Sequence, residues 1–524
     1  MSALGSLTMI GRILSFMNTT IDASRVAQDL RAQLEKSQVF EAKSELLNFS
    51  YDASFYSHLH AKSPDVAVVA RCAEDVSRTV KYAYENDIPV TARGAASGQM
   101  GGVIPVHGGI VIAMNAMNSI LEIDGPNLQV MTEPGVICSR LQAELAKQKL
   151  SFPPDPGSAR MCTVGGMAST NAHGMRAMKY GPTSHWVLGL DVVLPTGETI
   201  TTGSMNSKAR QSSSGMELTK IFVGAEGLLG IITKLRLKVM PLPKSRAIVL
   251  ALFDRLENAG EAVVATFQAG IMPAATEILD QNTLRAVNLY RPGMNLPEVE
   301  AMLLFEVDGN HDAVVKDAQD ICDAVAHLAT ETEWADDPKR INTLWEARSV
   351  VGAAAGMLRP NSFRAYIGED ICVPSVKVPE TLREIADIAK KYELPVATYG
   401  HIGGGGIHPA LLINPFSEEE IRRVQACANE FHELALRQGG TVTGEHGVGL
   451  ARAPYMDMEH GPAMGVMKSI KDALDPKGLM NPGKLFPGEI PESARIGAPI
   501  PPLGVFGEED LPADPASIPG IDPG

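Results

Sequence analysis

The sequence predicts an α+β protein with more than one domain, and three observations carry that expectation. The chain has 524 residues, too many for one ordinary core. From Asp65 onward, apolar residues recur with strand and helix periods in succession. Met240, Pro241, Leu242 and Pro243 then separate this series from a second one, because two prolines interrupt sheet and helix alike.

In chain order, residues 66–70 have strand character, Val76, Val80 and Ala83 follow at helix spacing, and 88–91 return to strand character. A β-α-β unit is expected there. Strands are expected at 109–114, 120–123 and 128–131, then an amphipathic helix through Ile137, Leu141 and Leu145. Residues 1–61 are expected to form a helical segment and 62–243 one α+β domain. A second domain spans 244–455. In it Ser417 and Glu420 read as a capping box, Ile421, Val424 and Ala428 as a helix face, and Gly439 as its stop. Another helix starts at Pro379, with Leu382, Ile385 and Ala389 inward. Residues 456–487 form a closing segment. The proline-rich, acidic stretch 488–524 reads as an extended tail, or as an arm that wraps a partner subunit.

Composition bounds the function. With 45% hydrophobic and 20% charged residues the chain reads as a folded cytoplasmic protein. Its net charge of -15, with no basic stripe, argues against a nucleic-acid partner. The six cysteines lie far apart and read as buried thiols. No segment reaches the roughly 18 apolar residues of a membrane span. Residues 4–17 are apolar, but Arg12 splits them and no basic region precedes them, which argues against a secretory signal and leaves open an interfacial helix peripheral to a membrane.

Four glycine-rich segments carry the first chemistry. Arg93, Gly94, Ala95, Ala96, Ser97 and Gly98 follow a predicted strand, and their small residues let consecutive N–H groups approach an anion such as a pyrophosphate. Their spacing fits neither a Walker loop nor a Rossmann fingerprint. The others are Pro156, Gly157 and Ser158; the 163–171 stretch with Thr163, Gly165, Gly166, Ser169 and Asn171; and 224–232 with Glu226, Gly227, Gly230 and Ile232. In this order they resemble the FAD-binding domain of the vanillyl-alcohol oxidase and p-cresol methylhydroxylase superfamily. The resemblance implies a flavin domain of two subdomains. Residues 93–98 would cradle the pyrophosphate, 156–171 line the flavin, and 226–232 support the adenine half and the ring edge. Ala96 stands where some relatives carry a histidine bonded to the flavin, so a dissociable FAD is expected. His173 stands where relatives usually carry a small residue.

His401 and His408 flank a run of glycines between two strand-like stretches, 395–399 and 410–413, and read as lying on one tight loop. Glu445 and His446 sit in a second glycine loop, 444–449, that closes another strand. Two imidazoles and a carboxylate with open positions suit a catalytic Zn, Mn or Fe(II) ion, here on His401, His408 and Glu445. These segments resemble the C-terminal domain of FAD-linked oxidases of the D-lactate dehydrogenase, glycolate oxidase catalytic subunit and D-2-hydroxyglutarate dehydrogenase group. Residues 474–485 resemble that group's closing motif, which returns to the flavin with Asn481 beside it. A substrate domain with a large antiparallel sheet is implied. Relatives usually read H-x-G-D-G-N-x-H. Gly404 and Gly406 replace the aspartate and asparagine, which leaves room for a bulkier substrate. Residues 370–374 also resemble a segment at the pocket.

Arg348 stands where relatives present an arginine to the substrate carboxylate, which a guanidinium can hold bidentately. The resemblance thus implies oxidation of a 2-hydroxy acid: Arg348 holds the carboxylate, the metal acidifies the hydroxyl, His446 takes its proton, and hydride passes to the flavin. No iron–sulfur, haem or NAD motif is present, so electrons leave to a separate acceptor: an iron–sulfur subunit, an electron-transferring flavoprotein, a quinone, a cytochrome or oxygen. The chain is expected to be a homo-oligomer or part of a complex. Two alternatives stand beside this: a metal-free phenol or alcohol oxidase of the same superfamily, and a non-catalytic flavin subunit.

Overall fold

The computed structural model describes residues 21–57, 62–204, 207–486 and 488. The expectations for residues 4–17 and for the tail past 488 lie outside the described residues.

The β-α-β unit forms as Val66–Val69, Ala73–Glu85 and Val90–Arg93. Its two strands do not touch. Ile110–Ala113 lies between them, parallel to both, and Val39–Phe40 adds an antiparallel edge. Val76, Val80 and Ala83 turn inward and join Val66, Val68, Ile110 and Ile112 in one core. The segment before residue 62 therefore holds a short strand besides its helix Ala23–Arg31.

A second sheet has five antiparallel strands, in the order Ile120–Asp124, Gln129–Thr132, Ile231–Lys238, Val187–Val193 and Thr199–Thr201. The helix Cys138–Lys147 packs Leu141 and Leu145 against it in a core of its own. Met240–Pro241 does not interrupt the sheet structure as Pro241 and Pro243 predict: it pairs with Leu150–Ser151. A two-strand ribbon has free edges, where a residue without an N–H is tolerated.

The third sheet is the large antiparallel one, with Glu331–Ala335, Ser245–Phe253, Ala301–Gly309, Ala275–Asp280, Val396–Gly400, Gly406–Ile413 and Phe363–Ala365 side by side. Both faces are covered, which is why its central strands read as unbroken apolar runs. Helices Leu256–Gln268, His311–Val325, Val378–Lys391 and Glu418–Arg437 supply one core. Gln281–Tyr290 and Pro338–Ser349 supply the other.

The signed helices start where their caps say. Pro379 sits in the first turn of Val378–Lys391, and Ser417 Oγ accepts from Glu420 N at 3.3 Å. The capping box is only half made, because the Glu420 carboxylate pairs with Arg359 and accepts from Asn414 N. The guanidinium offers a stronger, charge-assisted partner than the cap N–H. All six cysteines are free, but Cys72 is exposed and only Cys138, Cys162 and Cys427 are fully buried. Among the described residues no helix is long and apolar enough to cross a membrane.

Candidate active site

Tyr399 and His408 are register partners in the hairpin of Val396–Gly400 and Gly406–Ile413, so His408 lies in a strand and not on the loop. Pro409 hid that strand from sequence reading. It is tolerated because Ile371–Cys372 pairs with Ile407 and Gly406 and Phe363–Ala365 with Ile413 to Leu411, leaving position 409 unpaired on that side. The connecting turn needs Gly405, whose φ is +82° and whose Cβ would stand 1.8 Å from the Val373 carbonyl oxygen. His401, at the turn's entry, and His408 then sit edge to face with ring centroids 5.1 Å apart.

Residues 444–449 form no strand; Thr441 makes only a single bridge to Cys372. Their N–H groups have another partner. Asp370 is 1% exposed and accepts from Glu445 N at 3.0 Å, His446 N at 2.8 Å and Thr443 Oγ1 at 2.8 Å. Fully buried Arg452 fixes the surrounding chain by donating to the carbonyls of Val442, Ile367 and Glu369.

The result is a carboxylate among imidazoles. Glu445 Oε1 lies 3.1 Å from His401 Nε2, 3.5 Å from His408 Nε2 and 3.6 Å from His446 Nε2. Ring nitrogens Nδ1 of His173, His408 and His446 are buried with no hydrogen-bond partner. Burial raises Glu445, but His401 and the other imidazoles outweigh it and hold the carboxyl well below its usual range. Burial, reinforced by His401, pushes His408 well below the usual histidine value, so its ring is neutral with a lone pair to give. Burial would also lower His401, but Glu277 and Glu445 on its two nitrogens raise it to about 10. Among the described residues, Asp370, His408, Glu445 and His446 form a group whose ligand atoms all lie within 4.8 Å of one another. A divalent cation fits this donor set of ring nitrogens around an ionised carboxylate, which holds His408 and Glu445 of the expected ligands while His401 stands beside it, hydrogen-bonded to Glu445.

Sequence reading missed two residues. Glu277, fully buried, accepts from His401 Nδ1 at 2.6 Å through one oxygen and from Arg348 Nε at 2.5 Å through the other. Its signal was a carboxylate in the middle of the otherwise apolar run of the strand Ala275–Asp280. Asp370 is the second; its signal was a segment noticed without a role. Arg348 lies on the helix Pro338–Ser349, its guanidinium 4.9 Å from the Tyr399 ring centre. Its two terminal nitrogens meet no acceptor among the described residues.

The glycine-rich segments also converge. A Cβ on Gly94 would stand 2.5 Å from Thr163 Oγ1, and Thr163 caps the helix Val164–Thr170 by accepting from Gly166 N. Gly165 packs on Pro134, where a Cβ would be 2.9 Å from a carbonyl oxygen. Glu226 N donates to Ser169 O, and Gly224 lies against Asn171. Gly227 lies beside Ala92, while Gly230 leads into the buried strand containing Ile232. Residues 156–158 run through a turn to Cys162, just before Thr163. Ala95 and Ser97 flank Ala96, which adopts a left-handed φ of +54°. The Arg93 side chain turns away, donating to the carbonyls of Asn48 and Tyr51, so only its backbone faces the loop. Glu226 accepts from Val448 N and Gly449 N, tying this half to the histidine loop. Asn481 donates to the carbonyls of Gly102 and Glu226, while its Oδ1 is buried without a partner.

Residues 242–485 match the family described as FAD linked oxidases, C-terminal domain, and 64–203 match the FAD binding domain. Glycolate oxidase subunit GlcD of Bacillus subtilis (strain 168) is 37% identical over 448 residues, covering 84% of this chain and 92% of that one. The chain belongs to the FAD-linked oxidases. D-lactate dehydrogenase of Anaerostipes hadrus is 34% identical over 433 residues, covering 80% of this chain and 89% of its own. Among solved structures, 4-ethylphenol oxidase from Gulosibacter chungangensis and p-cresol methylhydroxylase with substrate bound both superpose with a TM-score of 0.73. Each covers 90% of this chain and 98% of its own, at 18% and 17% identity, and so shares its fold. As an FAD-linked oxidase the protein is an FAD-dependent oxidoreductase. The residues fit the cofactor: a Cβ on Gly98 or Gly157 would meet open space, and the orphaned Asn481 Oδ1 offers an acceptor between Gly102 and Glu226.

Proposed function

We propose that the protein oxidises a 2-hydroxy acid to the 2-oxo acid, with FAD as electron acceptor and a divalent cation on His401, His408 and Glu445. The observation that carries this reading is the juxtaposition of Arg348 with that histidine and glutamate cluster through the one carboxylate of Glu277. The names of the relatives, a glycolate oxidase subunit and a D-lactate dehydrogenase, support the substrate class. FAD is held without a covalent bond in the 62–243 unit with the 456–487 segment, and the substrate lies on the 244–455 unit. Electrons pass to a separate protein or quinone acceptor, and the chain works as a homo-oligomer or within a complex.

When bound, FAD takes up two electrons and a Zn, Mn or Fe(II) ion lowers the pKa of the substrate hydroxyl. Arg348 keeps its terminal nitrogens for the substrate carboxylate, because Glu277 engages only Nε. His446 takes the hydroxyl proton; its backbone is fixed by Asp370, and neither ring nitrogen is engaged in a hydrogen bond. Glu277 holds the proton on His401 Nδ1, so the proton that a cation would displace is the one Nε2 shares with Glu445. A Cβ on Gly406 would meet nothing nearer than 3.6 Å, and one on Gly404 nothing within 4 Å, which supports a substrate larger than lactate or glycolate.

An anaerobic screen of 2-hydroxy acids of increasing side-chain size tests this, by loss of flavin absorbance. Bleaching by at least one acid, with one enantiomer preferred, is expected; an absorbance unmoved by the whole series contradicts it. Acid precipitation is expected to release the yellow colour into solution, since Ala96 offers no attachment point. Colour retained in the pellet would contradict a dissociable flavin.

Arg348→Lys is expected to raise KM about tenfold to a hundredfold, the equivalent of about 1.5–3 kcal/mol, because an ammonium cannot form two parallel hydrogen bonds. Unchanged kinetic constants would place the arginine outside the substrate site. Metal uptake has its own signature. With its value near 10, His401 carries a proton on each nitrogen at neutral pH in the metal-free protein, and a cation on Nε2 must expel one. About one proton should be released per cation, so affinity should rise as pH rises toward 10. Calorimetry in buffers of different ionisation enthalpy measures the release; none detected would exclude His401 as a ligand.

A further inference from the structure

The site contains one imidazole to which that reading gives no task. His173 follows the short helix Val164–Thr170 in the flavin-binding half, and its ring reaches across to the loop that carries Glu445. Its Nε2 lies 2.9 Å from the Gly444 carbonyl oxygen. A carbonyl only accepts, so Nε2 donates its hydrogen there. Nδ1 is buried, meets no hydrogen-bond donor, and faces Glu445 Oε2 at 3.6 Å.

At 3.6 Å the nitrogen and the oxygen are too far apart for a hydrogen bond to each other, and a cation between them would engage both. Two ligands bonded at about 2.1 Å to one tetrahedral cation lie about 3.4 Å apart. The separation of His173 Nδ1 from Glu445 Oε2 is close to that edge, as is the 3.5 Å separation of His408 Nε2 from Oε1. The hydrogen bond from Nε2 to a backbone carbonyl is also the arrangement that fixes the tautomer of a metal-bound histidine.

We infer that His173 is a further ligand of the divalent cation, donating through Nδ1 beside His401, His408 and Glu445. The inference rests on the metal reading above and extends it: the cation is held from both halves of the chain, so metal binding clamps the flavin-lining segment onto the histidine loop. Three imidazoles and a carboxylate also shift the donor set toward nitrogen, which favours Zn or Fe(II) over Mn.

Zinc K-edge absorption of the FAD-loaded protein counts the imidazoles directly, and chelator competition gives zinc affinity. Three imidazoles are expected in the wild type and two in His173→Gln, with affinity reduced at least tenfold and flavin content unchanged. Glutamine can keep the hydrogen bond to the Gly444 carbonyl while removing the ring nitrogen. If this variant retains wild-type affinity, or the wild type shows only two imidazoles, the inference is overturned and His173 merely positions the loop. If His173→Gln loses flavin, the wild-type imidazole count alone decides. A wild type that binds no zinc removes the metal reading itself, an outcome distinct from the loss of His173 alone.

Discussion

The Glu277→Ala protein is expected to lose stability, metal affinity and substrate binding together. Glu277 is fully buried and joins the two charged elements of the site, with Oε1 on His401 Nδ1 and Oε2 on Arg348 Nε. Without it the guanidinium is left buried with no carboxylate, and breaking a buried pair from one side costs about 3–5 kcal/mol. His401 loses the acceptor that fixes its tautomer, a change that lowers metal affinity about 10- to 100-fold in comparable sites. Glu277→Gln keeps the volume and one oxygen, so it should lie between wild type and alanine. Thermal denaturation, metal analysis and the KM for the substrate read the three effects. A Glu277→Ala protein normal in all three would mean that the bridge is incidental.

His446→Ala is expected to separate proton transfer from metal binding. Its ring stacks on His408 with centroids 5.4 Å apart, and its Nδ1 makes no hydrogen bond, lying 3.6 Å from Asp370 Oδ2. Its main-chain N–H is held by Asp370 and does not depend on the ring. The variant should retain FAD and metal yet reduce its flavin about a hundredfold to ten-thousandfold more slowly, the usual contribution of a placed base. Stopped-flow reduction with parallel metal analysis checks it. Loss of the metal would make His446 a ligand, and an unchanged rate would leave the proton acceptor elsewhere.

Local signals were legible in the sequence and long-range ones were not. The helices Ala73–Glu85, Val378–Lys391 and Glu418–Arg437 carry their period and stop signals within their own residues. The glycines of the flavin segments were legible because close approach excludes a side chain, as Gly94 shows against Thr163. The strand containing His408 was obscured by Pro409, whose tolerance depends on a gap between two neighbouring strands that no local pattern reveals. Glu277 and Asp370 act on residues 124 and 75 positions away. Their partners exist only once the large sheet has brought Ala275–Asp280 beside Val396–Gly400 and the 444–449 loop has closed on Asp370, so the sequence offered charged residues in apolar surroundings without their purpose. His173 belongs to the same class: noticeable in the sequence, intelligible only beside Gly444 and Glu445.

The most direct test of the account is anaerobic flavin reduction before and after removal of the metal. Protein purified with FAD and a divalent cation should bleach on mixing with an accepted 2-hydroxy acid. After chelation and desalting it should keep its flavin spectrum but no longer bleach, and added Zn, Mn or Fe(II) should restore the reaction. His408→Ala should behave as the chelated protein does, because that histidine offers a neutral, buried lone pair to the cation. Full reduction by the same acid in protein proved free of metal would contradict the account and move a metal-free alcohol or phenol oxidase ahead of it.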